Sequence, residues 1–200
     1  MLNILYSIFC PICAGTANSD LPIRFKYIFW QKIIGINRKV YWPVHFTSRV
    51  DGYKYILIGK GTAPGYMNGC YVFAKKDSPV IIGEHTIIAS NVCIAGFSHD
   101  LYDYNKYPSK GGVQIGSYCW LGANSVILPG VELGNHTIVA AGAVITKSFS
   151  DGFCVLAGNP ARKIKDVDKK LVIENRKTYS YYGYIKEEKF ELFKQTKLDL

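Results

Sequence analysis

An aliphatic residue followed by a small one recurs at six-residue spacing through the middle of this 200-residue chain. The series runs Ile58-Gly59, Pro64-Gly65, Ile82-Gly83, Ile88-Ala89 and Ile94-Ala95. After a gap it resumes as Ile115-Gly116, Leu121-Gly122, Ile127-Leu128, Leu133-Gly134, Val139-Ala140 and Ile145-Thr146. Four positions after an aliphatic member stands a small or β-branched residue: Thr62, Thr86, Val92, Ser98, Cys119, Ser125, Val131, Thr137 and Ala143. A six-residue unit cannot be helical, because six does not match a turn of about 3.6 residues. It fits a short strand and a tight turn, three of which close one coil of a triangular parallel β-helix. The aliphatic residue fills the prism, the small one fits the corner, and each coil buries its apolar side against its neighbours. The fold class is therefore mainly β.

Within each block the spacing is six or a multiple of six, and that phase breaks in "CIAGFSHD" at 93–100. Ile94 and Ser98 continue the inward pattern, and then His99 opens an excursion, "DLYDYNKYPSKGGVQ" at 100–114. Three units follow: an N-terminal segment 1–54, the β-helix 55–164, and a tail 165–200. The flanking segments are expected to cap the exposed ends of the prism. "RFKYIFWQKIIGI" (24–36) reads as an amphipathic helix. The tail reads as one or two charged helices broken near Gly183.

Hydrophobic residues make up 48% of the chain and charged ones 20%, so it is globular. The net charge of +9 favours an anionic partner. No recognition motif supports nucleic acid, which is not expected. Cys10-Pro11-Ile12-Cys13 is a C-x-x-C pair with no second pair to complete a zinc site, so reduced, cytoplasmic thiols are expected. "LNILYSIFCPICAG" is apolar, but it is short for a membrane span, lacks a basic residue before it, and contains Pro11. It reads as a segment packed on the protein or lying against a membrane surface, with a cleaved signal peptide as the alternative.

The stretch "IGSYCWLGANSVILPGVELGNHTIVAAGAVITKSFSDGFCVLAGNPARKIK" (115–165) combines W-L-G-A-N, A-x-x-x-x-T-K and G-N-P-A-R. In that combination the chain, over roughly 55–165, resembles the hexapeptide-repeat acyltransferases. The likeness is to their sugar O-acetyltransferases, which include galactoside and maltose acetyltransferases and enzymes that decorate capsule and O-antigen glycans. The resemblance implies a left-handed β-helix, a homotrimer, and acetyl-CoA as co-substrate in a groove between subunits. It implies acetyl transfer to a sugar hydroxyl in cell-surface polysaccharide synthesis. Amino-sugar N-acetylation and antibiotic O-acetylation are alternatives on the same fold. A non-catalytic assembly or glycan-binding module is an alternative of another class.

Acetyl-CoA is an activated thioester, so the protein needs only a base for the acceptor hydroxyl and a donor for the oxyanion. His99, mounted where order gives way to a loop, is the candidate base. A loop histidine with no role is its alternative. By resemblance the Ala123 amide faces the oxyanion, and Trp120 lines the pantetheine groove unless it only packs between subunits. Gly122, Ala141 and Gly142 border the same groove, although the glycines also suit β-helix turns. Thr146 and Lys147 match the adenine end, and Arg162 and Lys163 suit the 3′-phosphate of CoA. Tyr102 and Tyr104 offer faces for a sugar ring, with Asn91, Ser98 and Asp100 as polar partners of the acceptor or of His99. His85 and His136 share a turn position that usually faces solvent, and no second histidine closely follows His99, so no metal site is expected. Residues 1–55 match no acceptor-binding motif of the galactoside and maltose enzymes, which leaves the acceptor open. The apolar N-terminus and the basic tail suggest a cytoplasmic enzyme, peripheral at the inner membrane face.

Overall fold

The computed structural model describes residues 10–108, 111–173 and 179–200. The apolar residues 1–9, part of the tail and two positions of the excursion lie outside the described residues. The strands are, in chain order, β1 (Arg49–Asp51), β2 (Ile56–Ile58), β3 (Tyr71–Phe73), β4 (Val80–Ile82), β5 (Ile87–Ile88), β6 (Cys93–Ala95) and β7 (Val113–Ile115). There follow β8 (Trp120–Leu121), β9 (Val126–Ile127), β10 (Glu132–Leu133), β11 (Thr137–Val139), β12 (Val144–Ile145), β13 (Cys154–Gly158) and β14 (Ala161–Asp166).

These strands form the three sides of a left-handed β-helix. β1, β3, β6, β9 and β12 stack on the first side, β2, β4, β7 and β10 on the second, and β5, β8, β11 and β13 on the third. Successive strands turn a corner onto the next side, so every pairing within a side is parallel. Gln114 pairs with Glu132, Trp120 with Ile138 and Val126 with Val144, each 18 residues on, which is three hexapeptides per coil. Val80 pairs with Val113, Ile87 with Trp120 and Cys93 with Val126, each 33 residues on. The excess of 15 (33 − 18) is the excursion inserted between β6 and β7.

The repeat's aliphatic residues from Ile58 to Ile145 line the prism; Ile94, Leu121, Ile127 and Ile145 are 0% exposed. Each contributes about 1.5–3 kcal/mol by leaving water. The neighbouring glycine is dictated by the spacing of coils. A Cβ on Gly116 would sit 2.6 Å from the Asn135 nitrogen of the next coil. At the fourth positions, Thr62 donates its hydroxyl to the Gly83 carbonyl and accepts the Thr86 amide. Thr86 repeats this one coil on, with Gly116 and Cys119. The spacing predicts that Ser98 points inward as the next such residue, but it is exposed. The chain departs two residues earlier at Gly96, whose Cβ would meet the Phe73 carbonyl at 2.6 Å.

His85, Tyr118, His136 and Phe153 occupy one corner in successive coils, all with left-handed φ of 46–57°. Their rings form a column: His85 on Tyr118 at 5.1 Å, Tyr118 on His136 at 5.1 Å and His136 on Phe153 at 4.6 Å. This corrects the solvent-facing reading of the two histidines, since His136 is 8% exposed. Coil stacking brings equivalent turn residues within one strand spacing, so flat rings cover one another.

The flanking segments do not cap opposite ends. β14 runs antiparallel to β13 and sends the tail back along the prism. There it packs on the N-terminal segment at the first coil. The Tyr184 amide donates to the Tyr41 carbonyl, the Asp199 amide donates to the Lys54 carbonyl, and a Cβ on Gly183 would lie 2.4 Å from the Tyr41 oxygen. At the far end the β13–β14 hairpin extends the third side by one antiparallel strand. The tail also corrects the all-helical expectation: Gly183 turns a hairpin of β15 (Tyr181–Tyr182) and β16 (Ile185–Lys186) ahead of a helix at Glu187–Lys197. Residues Phe25–Ile28 are α-helical and continue as a π-helix, Phe29–Ile34, ending at Gly35 with φ 100°. Cys10 and Cys13 are joined in a disulfide, against the expectation of reduced thiols.

Candidate active site

His99 stands at the corner after β6, exposed, at the foot of the excursion. Its Nδ1 is 2.6 Å from the carbonyl oxygen of Tyr104. A carbonyl only accepts, so Nδ1 carries the proton of this bond and Nε2 keeps its lone pair in the neutral ring. The Tyr107 ring lies against the imidazole at 4.5 Å, and the Tyr104 ring stands edge-on at 6.5 Å. One face of His99 is thus packed, and one nitrogen is fixed.

The loop that supplies the Tyr104 carbonyl is built from its own polar groups. Asp100 Oδ1 accepts the Tyr102 and Asp103 amides at 2.9 and 3.0 Å, and the Asp100 amide donates to the Lys106 carbonyl. Asp103 accepts the Asn105 amide at 3.1 Å and pairs with Lys106 at 3.2 Å. These bonds hold the Asp103 carboxyl below its ordinary range, the Asn105 backbone amide first and Lys106 second. Asp100 therefore shapes the loop with one oxygen, whatever its second oxygen does. Tyr102 and Tyr104 are 96% and 74% exposed, free to meet a ligand.

Lys75 carries no signal in the sequence. It sits on the turn between β3 and β4, the same corner one coil earlier, and its ammonium donates to the Tyr107 carbonyl. It also lies 5.7 Å from the centres of the Phe97 and Tyr107 rings. Only register could have found it: coil stacking puts residues 74–79 beneath the excursion. Gly112, with φ 75°, brings the loop back against Pro79, where a Cβ would stand 1.9 Å from the carbonyl oxygen.

Most of the remaining candidates lie elsewhere on the prism; Thr146 and Lys147, after β12, stand on the His99 corner two coils further on. Trp120, on β8 of the third side, is 52% exposed. Gly122, Ala123, Ala141 and Gly142 make the corner between the third and first sides. Among the described residues the Ala123 and Ala141 amides donate to no other group. Gly122 is buried, and a Cβ there would lie 2.6 Å from the Ala141 nitrogen. Asn91 shares this corner and donates to Asn124 at 3.1 Å, so it does not reach His99 across the width of the first side. Thr146 and Lys147 are exposed at the corner after β12. Arg162 and Lys163 are on β14, beyond the third side. Arg162 bonds the Ala161 carbonyl at 3.0 Å, and Lys163 pairs with Asp166 at 2.8 Å, which holds its ammonium above the usual range. One chain therefore does not gather these residues: the base is at one corner and the free amides at another.

A model of the family described as bacterial transferase hexapeptide (six repeats) matches residues 112–147. A putative acetyltransferase of Dictyostelium discoideum is 39% identical over 154 residues, 75% of this chain and 77% of that protein. A putative lipopolysaccharide biosynthesis O-acetyl transferase of Escherichia coli K12 is 32% identical over 136 residues, 60% of this chain and 68% of the other. The chain belongs to the hexapeptide-repeat transferase family. The galactoside O-acetyltransferase of E. coli K12 is 32% identical over 98 residues, 46% of each chain. The chain spans about half the length of several of the curated relatives it matches. Among solved structures, galactoside acetyltransferase in complex with coenzyme A superposes with a TM-score of 0.58 at 22% identity, covering 76% of this chain and 77% of that one. A maltose O-acetyltransferase from Clostridium difficile 630 gives 0.54 at 22% identity, over 84% and 89%. These structural likenesses speak for the fold.

Proposed function

We propose that the protein is an acetyl-CoA-dependent O-acetyltransferase acting on a sugar hydroxyl of a cell-surface polysaccharide or its precursor. The observation that carries the reading is the bond from His99 Nδ1 to the Tyr104 carbonyl, which leaves Nε2 basic on an exposed edge. In this reaction His99 Nε2 takes the proton of the acceptor hydroxyl as its oxygen bonds to the thioester carbonyl carbon. The Ala123 amide donates to the oxygen that gains charge. When the carbon–sulfur bond breaks, His99 returns the proton to sulfur, so atoms and charge balance and the imidazole is restored.

Acetyl-CoA as co-substrate fits the residues present. The unengaged Ala141 amide suits the pantetheine amides, the exposed Trp120 and the bare edge of Gly142 suit the arm beside them, exposed Thr146 and Lys147 suit the adenine end, and exposed Arg162 suits the 3′-phosphate. Lys163 is the weaker member, since Asp166 already holds it. Because His99 and the Ala123 corner are one side of the prism apart, the site closes only when another copy brings its corner to this His99. That supports the homotrimer. Tyr102 and Tyr104 offer the acceptor stacking faces, with Ser98 and the second oxygen of Asp100 in reach of the same loop. A lipid-linked acceptor would place the enzyme on the cytoplasmic side as a peripheral protein; no helix of the described residues is long and apolar enough to cross a membrane.

Release of free CoA from acetyl-CoA, measured against a panel of neutral and amino sugars, tests the reading. His99→Ala should lower the rate about 10²–10⁴-fold while CoA binding by calorimetry persists. An unchanged rate would overturn it, and absent CoA binding by the wild type would leave a non-catalytic module.

A further inference from the structure

The helical run Phe25–Ile34 is turned inside out. Its buried face carries Gln31, 1% exposed, and Tyr27, 5% exposed. Gln31 is fully used: its amide donates to the Trp42 carbonyl at 3.1 Å, and its oxygen accepts the Val44 amide at 2.9 Å and the Tyr184 hydroxyl at 2.6 Å. The outer face holds what a core would normally take. Phe25 is 57% exposed, Ile33 62% and Ile34 52%, with Phe29 between them at helical spacing. The rings continue as one ridge: Phe25 to Phe29 at 6.5 Å, Phe29 to Trp30 at 5.4 Å, and Trp30 stacked on Phe46 at 4.8 Å. Phe46 is 43% exposed. An apolar ridge of this size on a polar surface marks an interaction site.

The charge around the ridge selects the partner. From Leu21 to Val50 the chain carries Arg24, Lys26, Lys32, Arg38, Lys39 and Arg49, and no Asp or Glu. Arg24 and Lys26 are exposed at the start of the helix, and Arg38 and Lys39 are exposed in the turn after it. Lys32 is drawn inward, donating to the Arg38 and Val40 carbonyls. A two-fold contact through this face would set cation against cation, whereas a trimer joins unlike surfaces and is separated from membrane docking by the oligomeric state of the ridge variant. An anionic surface with an apolar layer beneath matches both features, aromatic rings lodging at the headgroup level and basic heads in the headgroups.

We propose that the ridge of Phe25, Phe29, Trp30, Ile33, Ile34 and Phe46, with its flanking cations, docks the protein on an anionic phospholipid bilayer. The ridge and its cations share no residue with the proposed acyl-transfer site, so vesicle binding and CoA release are separate readouts and the failure of either reading is distinguishable.

Flotation of the whole protein with vesicles tests it. Binding is expected to phosphatidylglycerol–phosphatidylcholine vesicles, to weaken as salt rises, and to be lost with phosphatidylcholine alone. Phe25→Ser with Ile33→Ser should lower the partition coefficient about tenfold or more, leaving the unfolding midpoint and CoA release unchanged, because both side chains are exposed. Arg24→Glu with Lys39→Glu, both exposed, should do the same and guards against a folding defect in the first variant. Equal binding by wild type and both variants overturns the proposal, as does equal binding to neutral and anionic vesicles. A smaller oligomer for Phe25→Ser/Ile33→Ser in analytical ultracentrifugation would also overturn it, by showing that the ridge joins copies of the chain.

Discussion

The coils from β7 to β12 and the excursion that carries Tyr104 belong to one prism yet are held by different forces. The coils repeat one solution: a buried aliphatic residue, a small residue at the corner, a parallel register of 18. Their stability is spread over many equivalent contacts. The excursion has no equivalent among the described residues. Its shape rests on Asp100, Asp103, Gly112 and the ammonium of Lys75, each making bonds that no neighbour can replace. The difference separates a frame that tolerates local loss from a loop whose geometry turns on single side chains.

Variants that cut into one region and spare the other test this contrast. Ile127→Ala empties a fully buried position and should destabilise the protein by about 2–5 kcal/mol. The folded fraction should still release CoA at close to the normal rate per molecule. Denaturant unfolding with and without the substitution measures this, and an unchanged midpoint would mean that the coils do not depend on their aliphatic column. Lys75→Met should do the reverse. It removes the bond to the Tyr107 carbonyl but keeps an apolar stem against Phe97, so the midpoint should move little while kcat falls about tenfold through a loosened His99. Equal losses of stability and rate would erase the distinction between frame and loop.

The smallest effect concerns pH. The Asp103 carboxyl is held below its ordinary range in the folded loop. Its contribution to loop order is therefore present above the unfolded carboxylate range and is lost as pH falls through the depressed folded value. Protection of the Asn105 amide from exchange, referred to its unfolded rate, should decline with that acidification in the wild type. In Asp103→Asn it should be lower throughout and insensitive to the same change.

The frame is legible in the sequence because repetition makes a signal: the spacing of Ile58 to Ile145 at sixes marks them as inward-facing, and they are. That the repeat breaks between β6 and β7 is legible for the same reason, although the chain departs at Gly96 and not at His99. What is not legible depends on contacts between segments far apart in the chain. Ser98 continues the pattern in letters but not in space, because the chain leaves at Gly96. Lys75 reads as one more surface cation until the register places its turn beneath the excursion. Both flanking segments share the first coil because β14 reverses the chain, which a residue-by-residue reading of "ARKIKD" does not reveal. The helix at 24–36 has the right apolar residues at the right spacing, but the buried face goes to Gln31, whose amide satisfies groups that no aliphatic side chain can.

The proposed chemistry turns on His99 being held with its proton on Nδ1 and its basic nitrogen free. Long-range proton–nitrogen correlation spectra of the ¹⁵N-labelled protein, with His99 assigned by comparison with His99→Ala, read the tautomer directly. With the ring neutral, the expected spectrum shows a pyrrole-like, protonated Nδ1 and a pyridine-like Nε2. A ring carrying its proton on Nε2 would contradict it.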